Sequence, residues 1–97
     1  MRVIAKKTLR TFWKNHPETE QPLKAWHAET LQATWESPDD IKARYPSASI
    51  LPNDRVVFNI KGNRYRLVVV VKFRFGMIYI RFIGTHAEYN RINAATI

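Results

Sequence analysis

The sequence predicts one α+β domain in which an N-terminal strand and two to three helices pack on a mostly antiparallel sheet. In the first half of the chain, apolar residues recur at three- and four-residue spacing, which is typical of amphipathic helices. From residue 55 onward the pattern changes to strands separated by glycine-containing turns. A chain of 97 residues has room for one hydrophobic core, so residues 1–97 are expected to form a single domain.

The N-terminal part is expected to hold one strand and one short helix. Residues 2–6 alternate as a short strand would. Thr8 is a candidate N-cap for a helix over residues 8–16, because a threonine hydroxyl can accept a hydrogen bond from a free amide of the first helical turn. Pro17 is expected to end that helix, since a proline disfavours helical geometry in the residue before it.

Two further helices are predicted before the sheet begins. The second helix covers about residues 19–35, and Trp26 and Trp35 are expected to pack against the sheet, as large aromatic residues on the apolar side of a helix usually do. The third helix covers about residues 39–45. Ser37 is its candidate N-cap, followed by a proline at the first helical position and two aspartates in the first turn.

The second half of the chain is expected to form an antiparallel meander. Residues 47–51 are either a short edge strand or an extended loop. Three strands are predicted over residues 55–60, 64–73 and 77–83. The turns between them contain Gly62 and Gly76, which can adopt the positive φ that tight turns need. The second of the three strands is apolar on both sides, so it should be central. Strict alternation divides the last strand into two faces, with Ile78, Ile80 and Phe82 on one and Tyr79, Arg81 and Ile83 on the other.

The net charge of +8 is distributed unevenly along the chain. Residues 1–17 contain five lysines and arginines and no acid, residues 18–40 contain six acids and one lysine, and residues 41–97 are again basic. A basic sheet beside an acidic helical segment favours a polyanionic partner, whose binding would depend on salt. The alternative is that many small proteins are simply basic. The interleaving of the charges with aromatic residues favours nucleic acid.

The groups needed to bind and cleave a phosphodiester are expected at one end of the sheet. His86 and Tyr89 follow the last strand, three residues apart, so one helical turn would place them on the same side. Histidine transfers protons near neutral pH, and tyrosine can stack on a base or donate a hydrogen bond. Arg64 and Arg81 can each pair with two phosphate oxygens. These groups suit a metal-independent cleavage of RNA by the substrate's own 2′-hydroxyl.

Each of these residues also has a structural interpretation. In that interpretation, His86 caps the end of the strand and Tyr89 packs the C-terminal segment. Regular alternation places Arg64 and Arg66 on one face, with Lys61 beside the preceding turn, and these cations are candidates for RNA binding. A structural role for Arg66 is the alternative, because its strand face is otherwise apolar.

Several features favour a cytoplasmic protein that works without a metal, a cofactor or a membrane. The chain has no cysteine, so neither disulfides nor thiolate metal sites are expected. No apolar run approaches the roughly 18 residues of a membrane span, and the N-terminal apolar segment is too short for a secretory signal. His16 and His27 are isolated from other ligand types. Asp54 and Glu88 are the acids near the proposed site, which disfavours a carboxylate-bound Mg²⁺.

Three strings of residues carry a resemblance to a known family. They are Phe58-Asn59-Ile60, Tyr65-Arg66-Leu67, and Phe82-Ile83-Gly84-Thr85-His86 with Tyr89 three residues later. Similar segments extend over nearly the whole chain. The order of a strand, two helices and an antiparallel meander resembles the RelE-like fold of bacterial toxins. More narrowly, the chain resembles the HigB-type toxins of type II toxin–antitoxin systems.

The resemblance implies a ribosome-dependent mRNA endonuclease, held inactive in a hetero-oligomer by an antitoxin of the helix-turn-helix kind. It implies that the catalytic residues are of two kinds: cationic side chains on the sheet, and His86 and Tyr89 after the last strand. The N-terminal part of the chain is also expected to form a basic surface that docks on ribosomal RNA, made of Arg2, Lys6, Lys7, Arg10 and Lys14, although a solvated helix face explains these residues almost as well. Two other functions stay open: a non-catalytic RNA- or ribosome-binding module, and a protein-interaction partner whose basic face an acidic antitoxin segment covers.

Overall fold

The computed structural model describes residues 1–97 as an α+β fold built on one five-stranded sheet. The strands are β1 (Arg2–Ile4), β2 (Ser49–Ile50), β3 (Arg55–Ile60), β4 (Tyr65–Lys72) and β5 (Met77–Thr85). The helices are α1 (Lys6–Asn15), α2 (Glu20–Gln32), α3 (Pro38–Arg44) and α4 (His86–Tyr89), with 3₁₀ turns at Pro17–Thr19 and Phe73–Phe75. The strand order is β1-β5-β4-β3-β2, in which β1 runs parallel to β5 and the other neighbours are antiparallel. None of the helices has the length and apolar character that crossing a bilayer would require.

The first helix begins earlier than the sequence predicts. Its N-cap position is Ala5, and the amide of Thr8 already donates to the Ala5 carbonyl, so the prediction of Thr8 as the cap is wrong. The helix ends at Asn15, and Pro17 starts a separate 3₁₀ turn. The turn brings the chain back over the sheet, which places His16 beside the first residues of β4.

The second and third helices follow the predicted order with shifted ends. Helix α2 ends at Gln32 because the backbone of Ala33 is extended, with ψ of 150°. Trp35 therefore reaches the core from the linker rather than from the helix, and like Trp26 it is buried, as predicted. Helix α3 has its proline and aspartates in the predicted positions, but the side chain of Ser37 makes no capping hydrogen bond.

The helical layer and one face of the sheet enclose the main core. Trp26 of α2 packs edge-on against Phe58 of β3, with 5.4 Å between the ring centroids. The bounds of β3 agree with the prediction, β4 is the central strand as expected, and β2 pairs with β3 as a short edge strand. Gly62 and Gly76 have φ of 65° and 63°, which confirms their role in the two turns.

Strand β5 departs from the predicted alternation at Arg81. Consecutive residues of β4 lie opposite Phe82 and Ile80, so Arg81 is an extra residue in a β-bulge. As a result Ile83, and not Phe82, joins Ile80 against the helix-side core, while Phe82 packs on the opposite face. The predicted division of this strand into two faces is wrong because an inserted residue reverses the alternation beyond it.

The second face of the sheet is covered by the C-terminal segment. Ala94 is buried against Val57 and Val68, and Tyr89 and Ile97 pack around this smaller cluster. The sheet therefore contains two strands beyond the predicted three-stranded meander, and it is covered on both faces, not only on the helix side. The end of the chain supplies the second cover, and it also fixes where the residues after β5 can go.

A candidate active site at the end of β4 and β5

The start of β4 and the end of β5 lie side by side, and two of the predicted site residues, Arg64 and His86, lie at this point. Tyr65 is opposite Thr85 in the antiparallel ladder. The amide of His86 donates a 3.0 Å hydrogen bond to the carbonyl of Arg64, which joins the start of α4 to the turn before β4. We call this region the sheet-end cluster. It consists of His16, Glu18, Arg64, Tyr65, His86 and Glu88.

A capping box fixes the helix that carries His86. The hydroxyl of Thr85 accepts a hydrogen bond from the Glu88 amide at 3.1 Å, and the Glu88 carboxylate accepts one from the Thr85 amide at 2.8 Å. This is the reciprocal pattern that a threonine followed by a glutamate three residues later can form. The same bonds from Thr85 lower the pKa of Glu88, and the positive charge of His16 lowers it further.

Gly84 gives the capping box the space that it needs. A Cβ atom at this position would lie 2.5 Å from Cζ of Phe82 and 3.0 Å from Oε1 of Glu88. Both neighbours are part of the local structure, because Phe82 packs on the second face and Glu88 closes the box. The glycine of the Gly-Thr-His string thus allows α4 to turn tightly off the end of β5.

The imidazole of His86 is exposed and makes one hydrogen bond. Its Nδ1 lies 3.1 Å from the amide nitrogen of Asn90, one turn later. An amide nitrogen only donates, so Nδ1 accepts and the proton of the neutral ring lies on Nε2. The Nε2 edge is therefore available to donate to or accept from a substrate.

Tyr65 and Glu18 form the second fixed pair of the cluster. The Tyr65 hydroxyl donates a 2.5 Å hydrogen bond to Oε2 of Glu18. The bond raises the pKa of Tyr65 and is the main reason for the lowered pKa of Glu18, which the charges of His16 and Arg64 lower further. The ring of Tyr65 is buried, and its hydroxyl reaches the exposed Glu18 at the surface.

Sequence reasoning missed His16 as a residue of the site. Its ring stacks on Phe12, with centroids 4.2 Å apart and 22° between the planes, and meets Tyr65 edge-on at 5.7 Å. Two features of the sequence bear on the position of His16, although they do not fix it. Tyr65 alternates with Leu67 onto the helix side of β4, and the proline after His16 marks where α1 must end. Neither feature shows which part of the sheet the end of α1 meets.

Arg64 and Arg66 diverge, although regular alternation placed them on one face. Arg64 belongs to the turn, and its guanidinium carbon lies 6.0 Å from the ring centroid of Tyr65, on the helix side. Arg66 lies over the ring of Tyr89 at 5.9 Å and donates to the Asn63 carbonyl at 2.8 Å. The prediction of a shared face is wrong because Arg64 precedes the strand.

Arg81 and Tyr89 lie on the second face of the sheet. Arg81 sits at the bulge, where its Nε donates to the carbonyl of Ile97 at 3.3 Å. The five positions from Arg81 to His86 correspond to about 15 Å of strand, so the structure does not bring Arg81 to Arg64. Tyr89 is half-buried against the cluster around Ala94, beneath Arg66.

The N-terminal cations are exposed, and one of them, Lys7, lines a groove beside β5. A groove of about 400 Å³ separates α1 from β5. Its lining residues are Lys7, Thr8, Thr11, Phe12, Asn15 and Ile83. Phe12 connects this groove to the sheet-end cluster through its stack with His16. The predicted docking residues Arg2, Lys6, Lys7 and Arg10 are all exposed.

The cations of the cluster and of α1 have no acidic partner within salt-bridge distance. The three ion pairs of the molecule join Lys24 to Glu20, Arg44 to Glu29, and Lys72 to Asp54. Arg64, Lys61 and the N-terminal cations are thus free to meet an anion. No three His, Cys, Asp or Glu side chains are grouped so that they could hold a metal ion.

Comparison with known proteins gives a consistent result. Residues 19–92 match the model of the HigB toxin family, described as the RelE-like toxic component of a toxin–antitoxin system. The mRNA interferase toxin HigB of Escherichia coli K12 is 30% identical over 96 residues, which cover 97% of this chain and 92% of that protein. The mRNA interferases HigB of Escherichia coli O157:H7 and Shigella flexneri match with the same identity and coverage.

Proposed function

This chain belongs to the HigB family of RelE-like toxins, and we propose on that premise that it is an mRNA interferase. The protein is an endoribonuclease that cleaves translated mRNA on the ribosome and so inhibits translation. The observation that carries the assignment to particular residues is the position of His86. A capping box holds its helix, the Arg64 carbonyl anchors its backbone, and its Nε2 edge faces solvent.

The proposed reaction is a metal-independent transesterification. The 2′-oxygen of the substrate attacks the adjacent phosphorus and loses its proton to a base of the enzyme. The bond from phosphorus to the 5′-oxygen breaks, and the leaving oxygen receives a proton from an acid. The products are a 2′,3′-cyclic phosphate and a 5′-hydroxyl. His86 takes part in the proton transfers, since imidazole is suited to them near neutral pH.

Arg64 is the proposed electrostatic partner of His86. The negative charge on the phosphate oxygens grows as the attack proceeds, and a cation placed beside them stabilises the transition state more than the ground state. Arg64 is exposed, has no salt bridge, and its backbone is bonded to that of His86. Lys61 lies in the same turn, where its carbonyl accepts the Arg64 amide at 3.4 Å, and we assign it to a neighbouring phosphate.

Arg66, Arg81 and Tyr89 receive supporting roles. Tyr89 orients Arg66 by lying under its guanidinium group, and Arg66 then meets the RNA backbone. Arg81 is too far along β5 to share the scissile phosphate with Arg64, so we assign it to a nucleotide farther along the strand. These roles keep the cations in the RNA-binding surface and concentrate the chemistry at the sheet-end cluster.

Ribosome dependence is supported by the openness of the site and by the exposed cations of the N-terminal part of the chain. No enclosed cavity is lined by the sheet-end cluster, so the protein alone offers little to hold a flexible strand in the geometry of attack. A larger body that presents the mRNA would supply that order. Arg2, Lys6, Lys7 and Arg10 are the proposed contacts to ribosomal RNA, through phosphate neutralisation.

A cognate antitoxin is the proposed inhibitor. The family is that of the toxic components of toxin–antitoxin systems, and the charge separation of this chain offers both a basic face and an acidic helical segment to a second protein. We propose a hetero-oligomer with an antitoxin of the helix-turn-helix kind. In the cytoplasm this complex would keep the toxin away from mRNA until the antitoxin is lost.

Induction in a bacterial host tests the proposed function. Wild type, His86→Ala and His27→Ala are expressed, and the 5′ ends of cellular mRNA are mapped. His27 lies on α2 and is the matched histidine outside the site. Growth arrest and new ends within translated frames are expected for wild type and for His27→Ala, and not for His86→Ala. If wild type creates no new ends while still binding RNA, the chain is a non-catalytic RNA- or ribosome-binding module and the proposal fails.

A further inference from the structure

His16 is held in place by hydrogen bonds of its backbone, which leave its ring free. Its amide donates to the Phe12 carbonyl at 2.9 Å, and its carbonyl accepts both the amide and the hydroxyl of Thr19, at 2.9 Å and 2.7 Å. Thr19 is fully buried, so this corner between α1 and the 3₁₀ turn is anchored in the core. The half-buried ring makes no hydrogen bond through either nitrogen, unlike the ring of His86.

The ring of His16 has both aromatic and charged neighbours. The ring rests on Phe12 of α1 and meets the edge of Tyr65 on β4. The charged groups that face it are Glu18 from the 3₁₀ turn and Glu88 from α4, and both carboxylates feel its positive charge through a lowered pKa, after their hydrogen bonds to Tyr65 and Thr85. Arg64 reaches the same pair of Glu18 and Tyr65 from the turn before β4.

Cleavage by the 2′-hydroxyl requires one group that takes a proton and another that gives one. Of the titratable groups in the sheet-end cluster, three are poorly suited to these tasks near neutral pH. The carboxylates of Glu18 and Glu88 are committed to hydrogen bonds that lower their pKa, so they are weak proton acceptors. The hydroxyl of Tyr65 is committed to Glu18, with its pKa raised, so it is a weak proton donor. The guanidinium group of Arg64 is a fixed positive charge rather than a proton-transfer group, so the two histidines remain.

We infer that His16 is the second proton-transfer group of the site and works on the opposite side of the scissile phosphate from His86. The inference rests on the proposed function and adds a residue to it. One imidazole accepts the proton of the 2′-hydroxyl while the other donates a proton to the departing 5′-oxygen, and the two exchange these states before the next turnover. Both histidines lie at the ladder pair of Tyr65 and Thr85, with the ring of His16 against Tyr65 and His86 directly after Thr85.

The competing explanation is that the ring of His16 only completes an aromatic stack. A phenylalanine at this position would preserve the contact with Phe12 and Tyr65 but could not transfer a proton. A glutamine would preserve the capacity for hydrogen bonding, but it could neither stack as an aromatic ring nor transfer a proton. His27→Gln serves as the matched control, because His27 lies on α2 outside the cluster.

The test is the pH dependence of single-turnover cleavage of mRNA on programmed ribosomes, across a range that brackets the ordinary imidazole pKa of about 6.5. Wild type and His27→Gln should show a bell-shaped profile. His16→Phe and His16→Gln should both lose about 10²- to 10⁴-fold in rate and keep only one limb of the bell. Thermal unfolding of His16→Phe should stay close to that of wild type.

Two results would overturn the inference, and they are distinct from failure of the proposed function. If His16→Phe cleaves at the wild-type rate, the residue is only an aromatic spacer. If both variants are slower but keep the bell shape, His16 acts through folding or positioning and not by proton transfer. Absence of cleavage by wild type itself would instead remove the proposed function, and this inference with it.

Discussion

The hydroxyl of Tyr65 donates a 2.5 Å hydrogen bond to the carboxylate of Glu18, 47 positions earlier in the chain. The bond ties the turn after α1 to the first residue of the central strand, at the end of the sheet where Arg64, His16 and the start of α4 also meet. Its electrostatic signature is a raised pKa of Tyr65 and a lowered pKa of Glu18.

The substitution Tyr65→Phe is expected to destabilise the protein in a pH-dependent way. A carboxyl whose pKa is lowered by folding contributes stability above its unfolded value of about 4.3, and that stability is lost as the pH falls through the folded value. The difference in unfolding free energy between wild type and Tyr65→Phe should thus be larger at neutral pH than in acid. Urea titrations at several pH values measure it.

Tyr79→Phe is the control for this comparison. The hydroxyl of Tyr79 meets only the sulfur of Met77, at 3.6 Å, and no carboxylate. Its removal should cost little, and the cost should not vary with pH in the acid range. The role assigned to Glu18 would be contradicted if the difference in unfolding free energy between wild type and Tyr65→Phe stayed constant down to pH values well below the ordinary carboxyl pKa.

Tyr45 is expected to titrate later than an ordinary tyrosine. Burial, and then the hydrogen bond to Glu29, raise its pKa from 10.0 to about 12. Because folding raises this value, the associated stability is fully present below the unfolded pKa and is lost as the pH rises toward about 12. Phenolate absorbance during alkaline titration should show a late component that is smaller in Tyr45→Phe, where Tyr65 is left as the tyrosine with a raised pKa. A late component of equal size in the two proteins would refute the prediction.

The parts of the fold that could be predicted are those set by neighbouring residues. The bounds of β3 follow from alternation over Arg55–Ile60, and the turns at Gly62 and Gly76 follow from the need for positive φ. The bulge at Arg81 could not be predicted, because the apolar residues on both sides of it alternate as in a regular strand. The register of β4 against β5 and the packing of Ile83 against the helix-side core show that a residue has been inserted.

The candidate site divides in the same way. His86 could be placed after the last strand from the sequence, whereas the capping box of Thr85 and Glu88 became evident in the structure. His16 and Glu18 could not be placed from the sequence, since their position depends on how the end of α1 folds back onto Tyr65. A pattern along the chain contains no measure of that distance, so the place of His16 in the cluster could not be predicted.

Loss of the cap of α4 should affect both stability and cleavage. Thr85→Ala removes the hydroxyl that accepts the Glu88 amide, and the loss of such a cap typically costs about 1 kcal/mol. Ser37→Ala is the matched control, because Ser37 occupies the N-cap of α3 without a capping hydrogen bond. Urea unfolding should show the larger loss for Thr85→Ala, and its cleavage rate should fall as well, since α4 carries His86. Equal losses in both variants would contradict the capping box.

Gly84→Ala should be more damaging than its small size suggests. The new methyl group would lie 2.5 Å from the ring of Phe82, and overpacking of this kind typically costs about 1–3 kcal/mol. Gly76→Ala offers a contrast outside the site, because its Cβ would meet nothing within 4 Å and only the positive φ is strained. Both should unfold more easily, but only Gly84→Ala should also reduce cleavage, through displacement of Glu88 and α4. Unfolding and single-turnover cleavage measured on the same preparations separate the two effects.

Arg64 and Arg81 should differ in the kind of defect that their removal causes. Arg64 is joined to His86 through the backbone, whereas Arg81 lies about 15 Å of strand away. Arg64→Gln is therefore expected to lower the rate of the chemical step, because it removes charge beside the reacting phosphate. Arg81→Gln should leave that rate nearly unchanged and weaken RNA binding, with a salt dependence that is shallower by about one phosphate contact. Single-turnover rates at saturating ribosome complex, together with binding measured over a series of salt concentrations, distinguish the two. Equal losses of chemical rate would mean that the scissile phosphate lies over the middle of β5, and the site would have to move from the end of the sheet to its face.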